Sequence, residues 1–267
     1  VAFMLWSAAL YLRGRPLPAG LLLGVGASAK LVAPYALFVF ALLEAARRLP
    51  SGSARAGRRA ALGRLATCAT ATAATFLALL ALFDRLAPPY DPGAGRLVAG
   101  GVFGHVGHLL GYAAAQTSPH GPTGIASYPW EWLFDYKPIV YLNVDTGHLV
   151  STTHFLGLVN PVILVLALPA LALAVRRVRR GAPEIDRLGV AWCLGTLVPF
   201  ELLSLIWQRT TYLYYMVIVM PGVYLIVARL LAHPRIPRRA LAVWIVLALA
   251  AAVLAYPFTP LPDLRLA

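Results

Sequence analysis

Apolar residues fall along this chain in runs too long to be the inner faces of soluble helices. A helix that crosses a bilayer needs about 20 mostly apolar residues. By that measure about seven stretches qualify: 1–12 reads as the tail of one span, followed by 17–43, 62–86, 155–175, 188–207, 212–231 and 240–256. A long mixed segment, 87–153, separates the third from the fourth, and a polar tail, 257–267, closes the chain. The predicted fold class is all-α, a polytopic transmembrane helical bundle with spans in 1–86, a loop over 87–153, four more spans in 154–256 and the tail outside. Val1 stands inside an apolar run with no Met and no basic segment before it, which predicts a natural beginning upstream.

The polar residues between the runs orient the bundle. Arg47, Arg48, Arg55, Arg58, Arg59 and Arg64 cluster after the second run, Arg176, Arg177, Arg179 and Arg180 after the fourth, and Arg229, Arg235, Arg238 and Arg239 around the sixth-to-seventh link. These loops alternate, so all can face the cytoplasm together, as an excess of Lys and Arg does in membrane proteins. Arg13 and Arg15 oppose the rule but are outnumbered. The 87–153 loop then lies on the non-cytoplasmic side. Within it, Val102, Val106, Leu109, Leu110 and Ala113 recur at helical spacing beside His105, His108 and Tyr112, which predicts an amphipathic helix along the membrane surface. Tyr128, Trp130, Trp132, Phe134, Tyr136 and Tyr141 follow as an interfacial aromatic cluster.

Composition strengthens this picture. The chain has 267 residues, 60% of them hydrophobic and only 12% charged, where soluble domains carry about 25% charged residues. One soluble core could not hide so much apolar surface, so lipid is the solvent. The net charge of +13 would suit a nucleic acid in another setting. Here the arginines sit in loops, topology accounts for them, and no nucleic-acid partner is expected. Cys68 and Cys193 lie inside apolar runs and read as small buried hydrophobes. No P-loop, nucleophile elbow or dinucleotide fingerprint occurs.

Several residues have the chemistry of a site. Lys30 lies near the centre of the 17–43 run, within Gly24-Val-Gly-Ala-Ser-Ala-Lys30-Leu-Val-Ala-Pro34. A charge at that depth costs several kcal/mol by insertion scales, so it snorkels, pairs (with Glu201, for instance) or meets a ligand phosphate or carboxylate. Arg209, among outer aromatics, is either an interfacial anchor or a planar fork for a phosphate. His105 and His108 share a helix face, but no third ligand has convincing spacing and no metal centre is expected. Asp91, His120, Asp135, Lys137, Asp145 and His148 are further polar residues of the loop. Glu131 between Trp130 and Trp132 suggests a sugar site, the alternative being that both rings sit in the headgroup layer.

Taken in order, these stretches resemble the protein O-mannosyltransferase family. The resemblance rests on Gly104-His-Val-Gly-His108-Leu-Leu-Gly-Tyr112, Ser127-Tyr-Pro-Trp130-Glu-Trp132 and Lys137-Pro-Ile-Val-Tyr141, with Lys30 in its small-residue span and Arg209-Thr-Thr-Tyr-Leu-Tyr-Tyr215 followed by Pro221. It covers nearly the whole chain. It implies a GT-C-type glycosyltransferase of about eleven spans, the ones here corresponding to the last of them. The implied reaction moves a sugar such as mannose from a polyprenyl-phosphate donor to a hydroxyl, a protein Ser or Thr, on the non-cytoplasmic face of a prokaryotic plasma membrane. By the same resemblance Lys30 and Arg209 hold the donor phosphate. His108, Tyr112, Ser127, Trp130, Glu131, Trp132 and Tyr215 hold sugar or acceptor, and the catalytic carboxylate lies before Val1. No cofactor is implied beyond the lipid-linked sugar, which is substrate; membrane lipid and a protein or glycan acceptor are the partners. Where the family has His-Pro-Tyr, this chain has Ser118-Pro-His120, so sister transferases acting on lipid or cell-wall glycan stay open. A multi-span transporter or flippase-like permease is the alternative from another class, although no internal repeat is evident.

The topology is directly testable. Cysteine placed at Trp130 is expected to react with a membrane-impermeant thiol reagent added outside intact cells, and cysteine at Arg58 only after permeabilisation. Labelling of both from one side would overturn the orientation.

Overall fold

Helices account for 72% of the computed structural model, which describes residues 1–48, 55–144 and 153–255. The described helices are α1 (Ala2–Leu12), α2 (Pro16–Ala29), α3 (Tyr35–Ala46), α4 (Arg55–Leu86), α5 (Gly101–Ala115), α6 (Pro161–Arg179), α7 (Glu184–Ile206), α8 (Met216–Leu231) and α9 (Arg238–Leu254). Two antiparallel hairpins, β1 (Tyr90–Asp91) with β2 (Arg96–Leu97) and β3 (Ile139–Val144) with β4 (Thr153–Gly157), complete the secondary structure with short 3-10 turns. The chain forms two compact units. The first is Val1–Thr117 with Leu194–Pro199, and the second is Ser118–Cys193 with the described chain from Phe200 onward.

Four helical stretches are long and apolar enough to cross a membrane, Gly57–Leu86, Pro161–Arg179, Glu184–Ile206 and Leu213–Leu231. At 1.5 Å per residue even the 19-residue ones reach about 28 Å, close to the hydrocarbon thickness. Their outer faces are apolar: Val165, Leu168 and Val217 are exposed, as suits helices with lipid for solvent. The protein is thus mostly helical, with the helices of a possible integral membrane protein.

The expected number of spans is not met: four, not seven, among the described residues. The 17–43 run is the clearest correction. It breaks into α2 and α3 at 30–34, where Lys30 turns extended (φ −160°, ψ 127°) and Pro34, with no N–H to give, precedes α3. Each piece is shorter than a bilayer, and so is α1 at 11 residues. The seventh run forms α9, 17 residues, about one turn short of the threshold. The fourth run starts late, because Phe155 belongs to β4 and pairs with Leu142, leaving α6 to begin at Pro161. The expected outer tail, 257–267, and Asp145 and His148 lie outside the described residues.

Small residues draw the first unit together. A Cβ at Gly20 would strike the Cys68 carbonyl and one at Gly24 the Thr75 side chain, so α2 presses its backbone onto α4. Tyr11 of α1 stacks on Phe40 of α3 with ring centroids 4.2 Å apart. Beneath that pair sits Glu44, only 3% exposed. Its carboxylate accepts from Tyr11 Oη at 3.2 Å, from Arg47 at 2.9 Å, and from the Arg64 fork at 2.9–3.1 Å. One carboxylate therefore ties α1, α3 and α4. No counter-charge other than these arginines is needed: a buried carboxylate is tolerable when paired and fully hydrogen-bonded.

The second unit is organised by α6, α7, α8 and α9. Asn160 caps α6, accepting from Val162 N at 3.1 Å while its amide donates to the Ala248 carbonyl of α9 at 2.8 Å. Trp192 is buried in α7 and its indole donates to the Ile218 carbonyl of α8 at 2.8 Å. Asp186, fully buried, accepts from Arg229 Nε at 3.2 Å.

Removing the shared carboxylate leaves two arginines without their anion. Glu44→Ala is expected to destabilise the protein by about 3 kcal/mol, the lower end for breaking a buried pair because Arg64 is partly solvated. Chemical unfolding in detergent micelles checks this; an unchanged midpoint would show that the cluster does not hold the three helices.

Candidate functional site

The polar chemistry of the second unit gathers where the segment after Thr117 meets the link between α7 and α8. The link begins as α7 ends: Gln208 takes a left-handed conformation (φ 53°) and Arg209 N–H returns to the Leu203 carbonyl at 3.1 Å. Thr210, Thr211 and Tyr212 then run extended. The 118–127 segment lies against them and is fastened at both ends. At the first, Ser118 N donates to the Gln208 carbonyl at 2.7 Å, and the Ser118 and Thr210 hydroxyls are 2.8 Å apart. At the second, Ser127 N donates to the Thr211 carbonyl at 2.9 Å, and the Thr211 hydroxyl donates to the Ser127 carbonyl at 2.5 Å. An antiparallel bridge joins Ala126 to Tyr212. Backbone groups that neither a helix nor a sheet satisfies are thus satisfied by each other.

The aromatic motif that follows is divided between scaffold and surface. Trp132 is wholly buried; its indole donates to Ser127 Oγ at 3.1 Å, and its ring meets Phe200 at 5.4 Å and Tyr215 at 6.1 Å. Glu131 reaches back to accept from Tyr128 N at 2.7 Å, capping the 3-10 turn Pro129–Phe134. Ser127, Glu131, Trp132 and Tyr215 therefore hold the motif in shape. Trp130 is the member that faces outward, 49% exposed and stacked near-parallel on Tyr128 at 6.2 Å.

Two cavities open from this arrangement. The smaller, about 140 Å³, is walled by Ser118, Gly121, Pro122, Tyr128, Ser204 and Arg209. Gly121 is required there: its φ is +88°, and a Cβ would approach the Tyr128 hydroxyl to 3.3 Å. Among the described residues lining it, Arg209 is the cation and none is acidic. The larger, about 470 Å³, is an apolar groove with Leu158, Leu213, Val217 and Met220 on its walls and Tyr141, Tyr214 and Tyr224 beside them. Both touch the same link, Gln208 and Arg209 in one and Leu213 and Tyr214 in the other.

Of the other predicted residues, Lys30, His105, His108 and Tyr112 belong to the first unit. Lys30 is exposed at the break between α2 and α3. Glu201 lies in the second unit. His108 and Tyr112 share one face of α5; His108 faces Asp91 at 3.9 Å, and Tyr112 is 65% exposed. His105, on that face too, meets Asp84 at 2.7 Å. The opposite face exposes Phe103 and Leu110. Among the described residues no group of three or more His, Cys, Asp or Glu side chains converges on a point.

Sequence reasoning gave Ser118, Tyr128, Thr210 and Thr211 no role of their own in a site. The β-prone Thr210-Thr211-Tyr212 run between two helices was the available sign, since hydroxyl-bearing extended segments seek a partner strand. It also gave Lys137 and Asp135 no role. Lys137 Nζ donates to the Pro122 and Ala126 carbonyls at 3.4 and 3.2 Å. The Asp135 carboxylate accepts from Val159 N at 2.8 Å, joining the aromatic turn to the approach of α6.

The chain matches no protein-family model, no curated protein and no solved structure. Its reading rests on the residues themselves.

Burial raises the Asp135 carboxyl above the ordinary carboxylate range, and the Val159 N–H lowers it only in part. A carboxyl so raised holds its proton more tightly folded than unfolded. Its contribution to stability is therefore complete below the unfolded pKa and is lost as pH rises through the folded one. Asp135→Asn keeps an acceptor for Val159 and removes the charge. The variant is expected to lose less melting temperature than wild type between pH 4 and pH 7, as differential scanning fluorimetry can measure; parallel curves would show that Asp135 does not titrate in this way.

Proposed function

We propose that this protein is an integral membrane glycosyltransferase that moves a sugar, mannose in the reading its motifs favour, from a polyprenyl-phosphate carrier to a hydroxyl acceptor such as a protein Ser or Thr on the non-cytoplasmic face. One observation carries the reading: a single short link lines both a polar cavity, through Arg209, and an apolar groove, through Leu213 and Tyr214. The carrier-linked sugar has those two halves, an anionic phosphodiester head and a hydrocarbon chain. A planar guanidinium binds the first bidentately, and apolar walls with tyrosines beside them suit the second. The Trp130–Tyr128 stack, whose Tyr128 also walls the Arg209 cavity, offers an aromatic face beside the phosphate for a sugar ring.

In the reaction the acceptor oxygen bonds to the anomeric carbon, the bond from that carbon to the carrier phosphate breaks, and the carrier leaves as polyprenyl phosphate. The acceptor's proton passes to a carboxylate base, a step that contributes typically 10²–10⁴-fold. No acidic side chain lines the Arg209 cavity among the described residues, so the base is not one of that cavity's walls. Arg209 acts on the other partner, offsetting the charge that builds on the departing phosphate.

A permease reading draws on a different observation, the break between α2 and α3 at Lys30. Discontinuous helices with polar groups at the break are common in transporters.

Transfer is measured with the full protein in native membranes, following release of polyprenyl phosphate and the gain of one sugar by the acceptor. Arg209→Ala is expected to slow transfer about 100-fold or more, Arg209→Lys less, and Trp130→Ala about tenfold. Undiminished transfer by Arg209→Ala would remove the arginine from the site. Solute uptake into sealed vesicles with no covalent transfer would replace the transferase by the permease.

A further inference from the structure

Three non-glycine residues among those described have positive φ: Asp135 at 53°, Lys137 at 58° and Gln208 at 53°. L-residues adopt this conformation rarely, and it persists only where the surroundings over-determine it. Two of the three hold the 118–127 segment directly. Gln208 supplies the carbonyl that takes the Ser118 N–H, and Lys137 supplies the ammonium that takes the Pro122 and Ala126 carbonyls. Asp135 ends the aromatic turn, two residues before Lys137, and fixes it to Val159.

The segment roofs the Arg209 cavity through Pro119, Gly121 and Pro122. With the roof in place that cavity measures about 140 Å³, well below the roughly 300 Å³ at which small-molecule sites begin. A sugar phosphate does not fit beneath it. The two fastened ends are unequal. Ser127 is buried and held by backbone and by the Trp132 indole. Ser118 is only half-buried, held by one backbone bond and one hydroxyl pair. Gly121 (φ +88°) and Gly124 (φ +58°) supply turns between them, flanked by exposed Pro119, His120 and Ile125.

We propose that 118–127 is a strap that swings about its Ser127 end to admit ligand to the Arg209 cavity, and that Lys137 is the positioning residue that latches it shut by holding the Pro122 and Ala126 carbonyls. The proposal rests on the carrier-phosphate reading of that cavity. Lys137 touches no reacting atom in this role. It sets how often the strap is closed over a bound head group, and closure excludes water from the charge that Arg209 faces. An ammonium donating to two carbonyls is a charge-assisted contact, so its loss weights the open form by about tenfold.

Two measurements on the full protein in lipid nanodiscs test this. In hydrogen–deuterium exchange, Lys137→Gln is expected to speed exchange across 118–127 about tenfold, with α8 unchanged, and Lys137→Arg is expected to restore most of the protection. Unchanged exchange in Lys137→Gln, or acceleration spread equally over α8, would overturn the latch. In transfer assays Lys137→Gln is expected to lower kcat about tenfold with little change in KM for the carrier-linked sugar, the pattern of an interaction completed on closure. A rise in KM alone would overturn the positioning role. For the swing, the Ser118→Cys/Thr210→Cys variant pins the Ser118 end when oxidised. Transfer by the oxidised form is expected to fall at least about tenfold below the same variant reduced, and equal rates would overturn the swing. If wild type transfers no sugar at all, the transferase reading fails by itself, and the exchange comparison alone decides the latch.

Discussion

A backbone N–H or C=O that leaves a helix and is cut off from water must find a partner within the protein. Among the described residues the chain leaves helical form at helix ends and in the segments between them, and at the candidate site the backbone so released is paired. The link after α7 and the segment after Thr117 pair at both ends of that segment. The Ser118, Thr210 and Thr211 hydroxyls reinforce the backbone pattern there. The chemistry of the candidate site follows from this: Arg209 keeps one position because the backbone on each side of it is fixed.

Much of the helical content could be read from the apolar runs, because a run of about 20 such residues leaves few alternatives. α4, α6, α7 and α8 fall where hydropathy puts them, to within about two turns. What hydropathy could not register was the break at 30–34. Leu31, Val32 and Ala33 are apolar, so the window stays hydrophobic across a stretch where the backbone turns. Lys30 and Pro34 were visible as a charge and a kink, yet together they end one helix and start another. The β3–β4 hairpin escaped for a related reason: Ile139, Val140 and Phe155 are as apolar as a span, and only pairing distinguishes them.

At the candidate site, residue types were legible and their division of labour was not. Two tryptophans one residue apart in a Trp-Glu-Trp stretch look equivalent in sequence. In the fold one is buried against Phe200 and Tyr215 and the other is half exposed on Tyr128. Glu131 looked like a sugar ligand and acts as a cap. Such distinctions depend on which side of a two-turn 3-10 helix each residue occupies, and no periodicity can be read from so short an element. Ser118, by contrast, lies 92 residues from the Thr210 hydroxyl it meets, a separation that only the fold closes.

The Glu44 cluster has a consequence for how the protein is made. Its principal partner, Arg64, lies 20 residues later in the chain, so during synthesis the carboxylate leaves the ribosome before the guanidinium exists. Until then Arg47, three residues on, is the cation beside it, and the link to α4 is missing. The tie across α1, α3 and α4 is therefore completed only once Arg64 has emerged, long after the Tyr11 hydroxyl that shares the same carboxylate.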